Sequence, residues 1–242
     1  MGDCDNNHPN CAPDDTLGPI TRVPTRLIDV GKGVASTTLR LYETRQDGMT
    51  ADEKRKFRYI ALSHPWGDAK IHDHFVTTVK NIEDYKAEID IEKLPKTFRD
   101  AIEVTRQLGV QYIWIDSLCI IQGEGGDFQD EAKYMETVFR LAYCVIAASR
   151  ATGTSDGFLG TRQEREFAMF ETRSKDPLYV CEAIDDFQHD IIEGSLNKRG
   201  WVLQERALAR RTIYFAHMQT YWECGEGVRC ETLTKMKKLV LQ

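Results

Sequence analysis

Between residues 59 and 149 short apolar runs alternate with longer amphipathic stretches. This alternation narrows the fold more than any other feature of the 242 residues. Residues 59–63 (YIALS), 110–115 (VQYIWI) and 144–149 (CVIAAS) read as buried strands, because each is a brief apolar run bounded by polar or small residues. Residues 94–109 carry Phe98, Ala101, Ile102, Thr105 and Leu108 at helical spacing, with Pro95 suited to the first turn and Gly109 to the end. Residues 130–142 repeat that period through Met135, Val138, Phe139 and Ala142. Strand, helix, strand, helix, strand predicts an α/β fold with a mostly parallel sheet flanked by helices.

Outside this block the signals are shorter. Residues 25–42 read as two strands around a glycine-containing turn, and residues 45–56 as a polar loop. Residues 150–198 read as a long insertion, loop-like over 150–176 with a strand over 178–184. A short helix over 200–208 and strands over 212–216 and 220–223 follow. Residues 1–24, rich in Pro, Asn, Asp and Gly, read as a flexible arm, which leaves 25–242 as one domain with extra β elements. The last residues carry no stop signal for a fold, so the chain reads as the N-terminal part of a longer protein.

The net charge of −6, with no dense basic run, argues against nucleic acid as a partner, since phosphate binding needs clustered cations. Arg206, Arg210 and Arg211 read as a solvated helix end. No stretch approaches the ~20 apolar residues that span a bilayer, and the polar N-terminus is not a signal peptide. Seven scattered cysteines lack disulfide-framework spacing, which points to reduced thiols and a cytoplasmic location.

Ligands of open α/β sheets bind beyond the carboxyl ends of the strands. Three such ends stand out: Ser63-His64-Pro65-Trp66-Gly67, Asp116-Ser117-Leu118-Cys119 and Ser149-Arg150. His64 and Cys119 offer a base and a nucleophile, although a cysteine in an apolar run more often packs. Trp201 and Glu205, four apart, share one helix face, where an aromatic slab beside a carboxylate suits a ribose and a flat ring. Cys4, His8 and Cys11 make a C-x3-H-x2-C cluster, one ligand short of the closed set of four that structural zinc prefers, so no metal is expected there.

Four segments together resemble the fungal heterokaryon-incompatibility (HET) domain: PTRLIDV from Pro24, YIALSHPWG from Tyr59, residues 94–122 ending in YIWIDSLCIIQ, and RGWVLQER from Arg199 followed by YWEC from Tyr221. Gly123 stands where an acidic residue is common in the family. The resemblance implies a cell-death signalling module that acts when incompatible fungal cells fuse, with self-association and other incompatibility proteins as partners. It also implies a distant relation to TIR domains, which have a flavodoxin-like parallel sheet and in many cases cleave NAD. Their catalytic glutamate often lies in a W-x3-E helix, a spacing that Trp201 and Glu205 reproduce. On that likeness Glu205 is the expected catalytic residue. Ser63, Trp66, Gly67, Asp116, Ser117, Cys119 and Trp201 are expected to line a site for NAD or a related nucleotide, bound as substrate with no cofactor.

Overall fold

The computed structural model describes residues 1–11, 22–44, 49–50, 53–54, 57–71, 74–162, 167–171, 177–181, 184–198, 202–231 and 235–236. In chain order the strands are β1 (Arg26–Asp29), β2 (Arg40–Glu43), β3 (Ile60–Ser63), β4 (Thr77–Thr78), β5 (Tyr112–Trp114), β6 (Ile121–Gln122), β7 (Cys144–Ala147), β8 (Phe167–Glu171), β9 (Pro177–Cys181), β10 (Arg211–Phe215), β11 (Thr220–Cys224), β12 (Gly227–Cys230) and β13 (Lys235–Met236). The α-helices are α1 (Gly2–Asn7), α2 (Ile82–Ala87), α3 (Lys96–Gln107), α4 (Asp116–Cys119), α5 (Phe128–Ala132), α6 (Met135–Leu141) and α7 (Val202–Leu208).

Nine strands form one mixed sheet in the order β13-β12-β11-β10-β7-β3-β5-β1-β2. Its centre, β10-β7-β3-β5, is parallel. Antiparallel strands extend it on both sides, β1 and β2 beyond β5, and β11, β12 and β13 beyond β10. The expected mostly parallel sheet is therefore corrected to a mixed one: among the described residues three pairings are parallel and five antiparallel. The reason is local. Short turns such as the one between β11 and β12 allow only antiparallel return, whereas parallel neighbours need a long crossover.

Numbered by their order in the chain, the four parallel strands lie 2-1-3-4 across the sheet. The chain leaves β3 towards β5 on one side and leaves β7 towards β10 on the other, so the connections diverge between β3 and β7. Divergence of this kind opens a crevice at the carboxyl ends of the two strands.

The burial follows the sequence pattern. All four residues of β3 and of β7 are buried, as expected for strands covered on both faces. Helix α3 buries Phe98, Ala101, Ile102 and Thr105, its apolar stripe, against the main core. Gly109 follows it with φ +70°, the left-handed conformation that ends helices at least cost.

The helix expected over 130–142 is broken into α5 and α6. Tertiary ties hold the first piece: the buried Glu131 carboxylate accepts from Arg22 at 2.6 Å and from Thr25 at 2.7 Å. Helix α6 meanwhile buries Val138 and Phe139 in the core. Residues 1–11, read from composition as part of a loose arm, form α1 and a 3-10 turn over Pro9–Cys11. The 150–198 segment contains the separate β8–β9 hairpin, a π-helical turn over Gln188–Ile192 and a 3-10 turn over Leu196–Lys198.

Candidate functional site

Side chains alternate along a strand, and residues paired across a sheet share a face. Ser63 of β3 pairs with Ala147 of β7, which pairs with Tyr214 of β10, so these three lie in one row near the strand ends. Val145 and Thr212 form a second row on the same face. Together they floor a small cleft, part of it open to solvent. Ile191, Leu196 and Asn197, from the two turns before α7, form one wall; Glu205 and Arg206 of α7 form another, and Ser149 contributes beyond β7.

Two polar atoms give this cleft its chemistry. The Ser63 hydroxyl is buried and has no hydrogen-bond partner among the described residues. Leaving such a group unmade costs about 1–3 kcal/mol. The second atom, Oε2 of Glu205, is shielded from solvent. Helix α7 is held by its next residue: Arg206 donates through Nε and Nη2 to the two carboxylate oxygens of Glu223, at 3.2 and 3.4 Å. The Tyr214 hydroxyl donates to Glu223 Oε2 at 2.6 Å, and the Arg206 guanidinium lies 5.4 Å from the Phe187 ring centre. Burial works against the charge on Arg206, but its bonds to Glu223 outweigh burial and raise its pKa. Burial and Glu223 push the Tyr214 phenol upward, so it stays a donor.

His64 serves the opposite face. Its ring packs edge-on against Phe98 of α3, centroids 5.1 Å apart, and its Nε2 lies 3.1 Å from Asp116 Oδ1. The Trp66 indole N–H donates to Asp116 Oδ2 at 2.7 Å, and the Ser117 backbone N–H donates to Oδ1 at 2.7 Å. Burial opposes ionisation of Asp116, yet His64, Trp66 and the Ser117 amide together hold its carboxyl below the usual carboxylate range. Gly67, with φ +79°, lets the chain turn sharply after Trp66.

A sequence model of the family described as Heterokaryon incompatibility protein (HET) matches residues 59–205, more than half of the chain. The chain belongs to the HET family. Membership implies a role in heterokaryon incompatibility. No curated protein and no solved structure matches the chain. Among the described residues no helix is long and apolar enough to cross a membrane.

The match runs from the residue before β3 to the carboxylate in the cleft, so Ser63 and Glu205 both lie inside the HET segment. Of the residues expected at a nucleotide site, these two meet in the cleft. Trp66 and Asp116 meet each other instead, beside Gly67, and Ser117 is buried there with its hydroxyl unpartnered among the described residues. Trp201 lies outside the described residues.

Cys119, expected to line the nucleotide site, lies in the core. It is 1 % exposed, its sulfur accepts from the Ile115 backbone N–H at 3.5 Å, and burial pushes its thiol up to about 12. His64 turns its ring nitrogens to Asp116 and to the Pro65 carbonyl oxygen, not to this sulfur. The arginine cluster is also corrected. Arg206 binds Glu223, Arg211 is buried 2.7 Å from Asp5, and Arg210 reaches the Ala142 carbonyl oxygen at 3.5 Å. Sequence reasoning missed Glu223, Tyr214 and Asn197, because a pairing such as Arg206 with Glu223, 17 positions apart across a strand, leaves no periodic trace.

Proposed function

We propose that this HET domain carries out its role in incompatibility by breaking the bond between nicotinamide and ribose in NAD. The observation that carries the reading is the meeting of Ser63 and Glu205, far apart in sequence, in one cleft at the divergence of β3 and β7. The 2-1-3-4 order of the parallel strands supports the flavodoxin-like, TIR-like kinship on which the assignment of Glu205 rests.

In the reaction the C1′–N bond breaks, and nicotinamide leaves with the electron pair. Water adds its oxygen to C1′ and releases a proton, giving ADP-ribose. Positive charge grows on the sugar in the transition state. Glu205, shielded from solvent, stabilises that charge at low local dielectric and accepts from ribose hydroxyls. Ser63 offers a hydroxyl to the same sugar, and the Arg206–Glu223 pair fixes α7 so that Glu205 keeps its aim. Trp66 and Gly67, on the loop after β3, would line the nucleotide side of NAD. Glu205→Gln is expected to lower nicotinamide release, read by chromatography, by ~10²–10³ with the fold unchanged. Wild-type release by this variant removes Glu205 from the mechanism.

One observation favours a second reading, a self-associating adaptor. In the β8–β9 hairpin Phe170 pairs with Leu178 and Ala168 with Val180, which places them on one face. Phe170, Leu178 and Val180 are each more than half exposed. A two-stranded hairpin is marginal alone and gains stability when such a face is covered.

A further inference from the structure

Residues 1–11 and the β11–β12 hairpin meet at a second polar centre, remote in sequence from the HET match. Helix α1 places Cys4 one turn before His8, and the 3-10 turn brings Cys11 back to the same point. Cys224, the last residue of β11, completes the group. The ligand atoms of Cys4, His8, Cys11 and Cys224 all lie within 4.8 Å of one another. His8 Nδ1 is 3.2 Å from Cys4 Sγ, 3.7 Å from Cys224 Sγ and 3.8 Å from Cys11 Sγ. Zinc bonds of about 2.3 Å to sulfur and about 2.0–2.1 Å to nitrogen give tetrahedral edges of about 3.5–3.8 Å.

We propose that Cys4, His8, Cys11 and Cys224 bind one structural zinc ion. Three sulfurs and one imidazole make a closed set with no position left for water or substrate, which suits a structural ion. The surroundings support the set. Asp3 Oδ2 lies 3.4 Å from His8 Nε2, the carboxylate that orients a metal-bound imidazole, and Asn7 holds the other Asp3 oxygen at 2.6 Å. The three sulfurs are buried together against Trp222.

The backbone is already drawn in close. A Cβ on Gly225 would stand 2.5 Å from the Asn10 carbonyl oxygen, and Asn10 donates to Glu226 at 2.9 Å. Asp5 pairs with the buried Arg211 at 2.7 Å. The ion ties the N-terminal segment to a hairpin 216 positions away, and its binding energy becomes folding energy. Cys224 follows Glu223, which grips Arg206, so the anchor also steadies the wall of the cleft.

The test uses the full chain, equilibrated with an equimolar amount of zinc and desalted, with zinc read by mass spectrometry. Wild type and Cys230→Ser, which lies outside the cluster, are expected to retain about one ion per chain, and Cys224→Ser close to none. Cobalt added to metal-free wild type is expected to give the thiolate charge-transfer and strong d–d bands of a tetrahedral sulfur site. Asp3→Asn changes an exposed residue and keeps the native circular dichroism, but it should bind zinc about ten-fold more weakly. Folded wild type that retains no more zinc than Cys224→Ser, or that yields a disulfide among Cys4, Cys11 and Cys224, overturns the proposal. Unchanged zinc affinity in Asp3→Asn overturns the geometry assigned to His8.

Discussion

Asp116 joins the loop after β3 to the turn after β5 through two hydrogen bonds, from Trp66 and with His64, and accepts a third from the Ser117 amide within its own turn. Its carboxyl is held below the ordinary value of 3.8 by these partners against the opposing effect of burial. The stability it contributes is therefore fully present above that value and is lost as pH falls through the lower folded value. Asp116→Asn is expected to cost on the order of 2 kcal/mol near neutral pH. It should also flatten the loss of stability below pH about 4, followed by urea unfolding at a series of pH values. An acid profile that keeps the wild-type slope in the variant removes Asp116 from the groups that drive it.

At the scale of elements, α7 depends on a partner outside itself. It has seven residues, too few for a stable isolated helix. Arg206 and Glu223 are 14 % and 12 % exposed, so their pair is largely withdrawn from water. Glu223→Ala leaves the guanidinium buried without its carboxylate, which typically costs ~3–5 kcal/mol. Chemical denaturation should show that loss, and adding Arg206→Met should recover part of it, because the stranded charge is then gone. Additive losses in the double variant would mean that the two side chains do not act as a pair. Nicotinamide release, if Glu205 is the catalytic group, should fall in Glu223→Ala as the helix loses its aim.

On the scale of the whole molecule, a parallel centre carries the cleft and antiparallel flanks carry the attachments. The N-terminal segment docks on the β11–β12 side, and the β8–β9 hairpin forms a sheet of its own. The exposed face of that hairpin is where a second copy would pack in the adaptor reading. Phe170→Asp combined with Leu178→Asp is expected to abolish concentration-dependent association in analytical ultracentrifugation. Wild type that sediments as a monomer at every concentration sinks that reading.

Local pattern by itself determined the central strands and the long helix. Buried strands must be apolar runs, and an amphipathic helix must repeat its apolar groups, so β3, β5, β7 and α3 were legible from residues 59–63, 110–115, 144–149 and 94–109. The two-residue strands carry too few side chains to impose a period, and the break between α5 and α6 answers to Arg22 and Thr25, far off in the chain. Only the tertiary structure decided which strand ends are neighbours. Periodicity specifies how an element buries its face, while strand order is set by crossovers and packing across the sheet. That order set Ser63 beside Glu205, turned His64 towards Asp116 and away from Cys119, and brought Cys224 to three ligands at the other end of the chain.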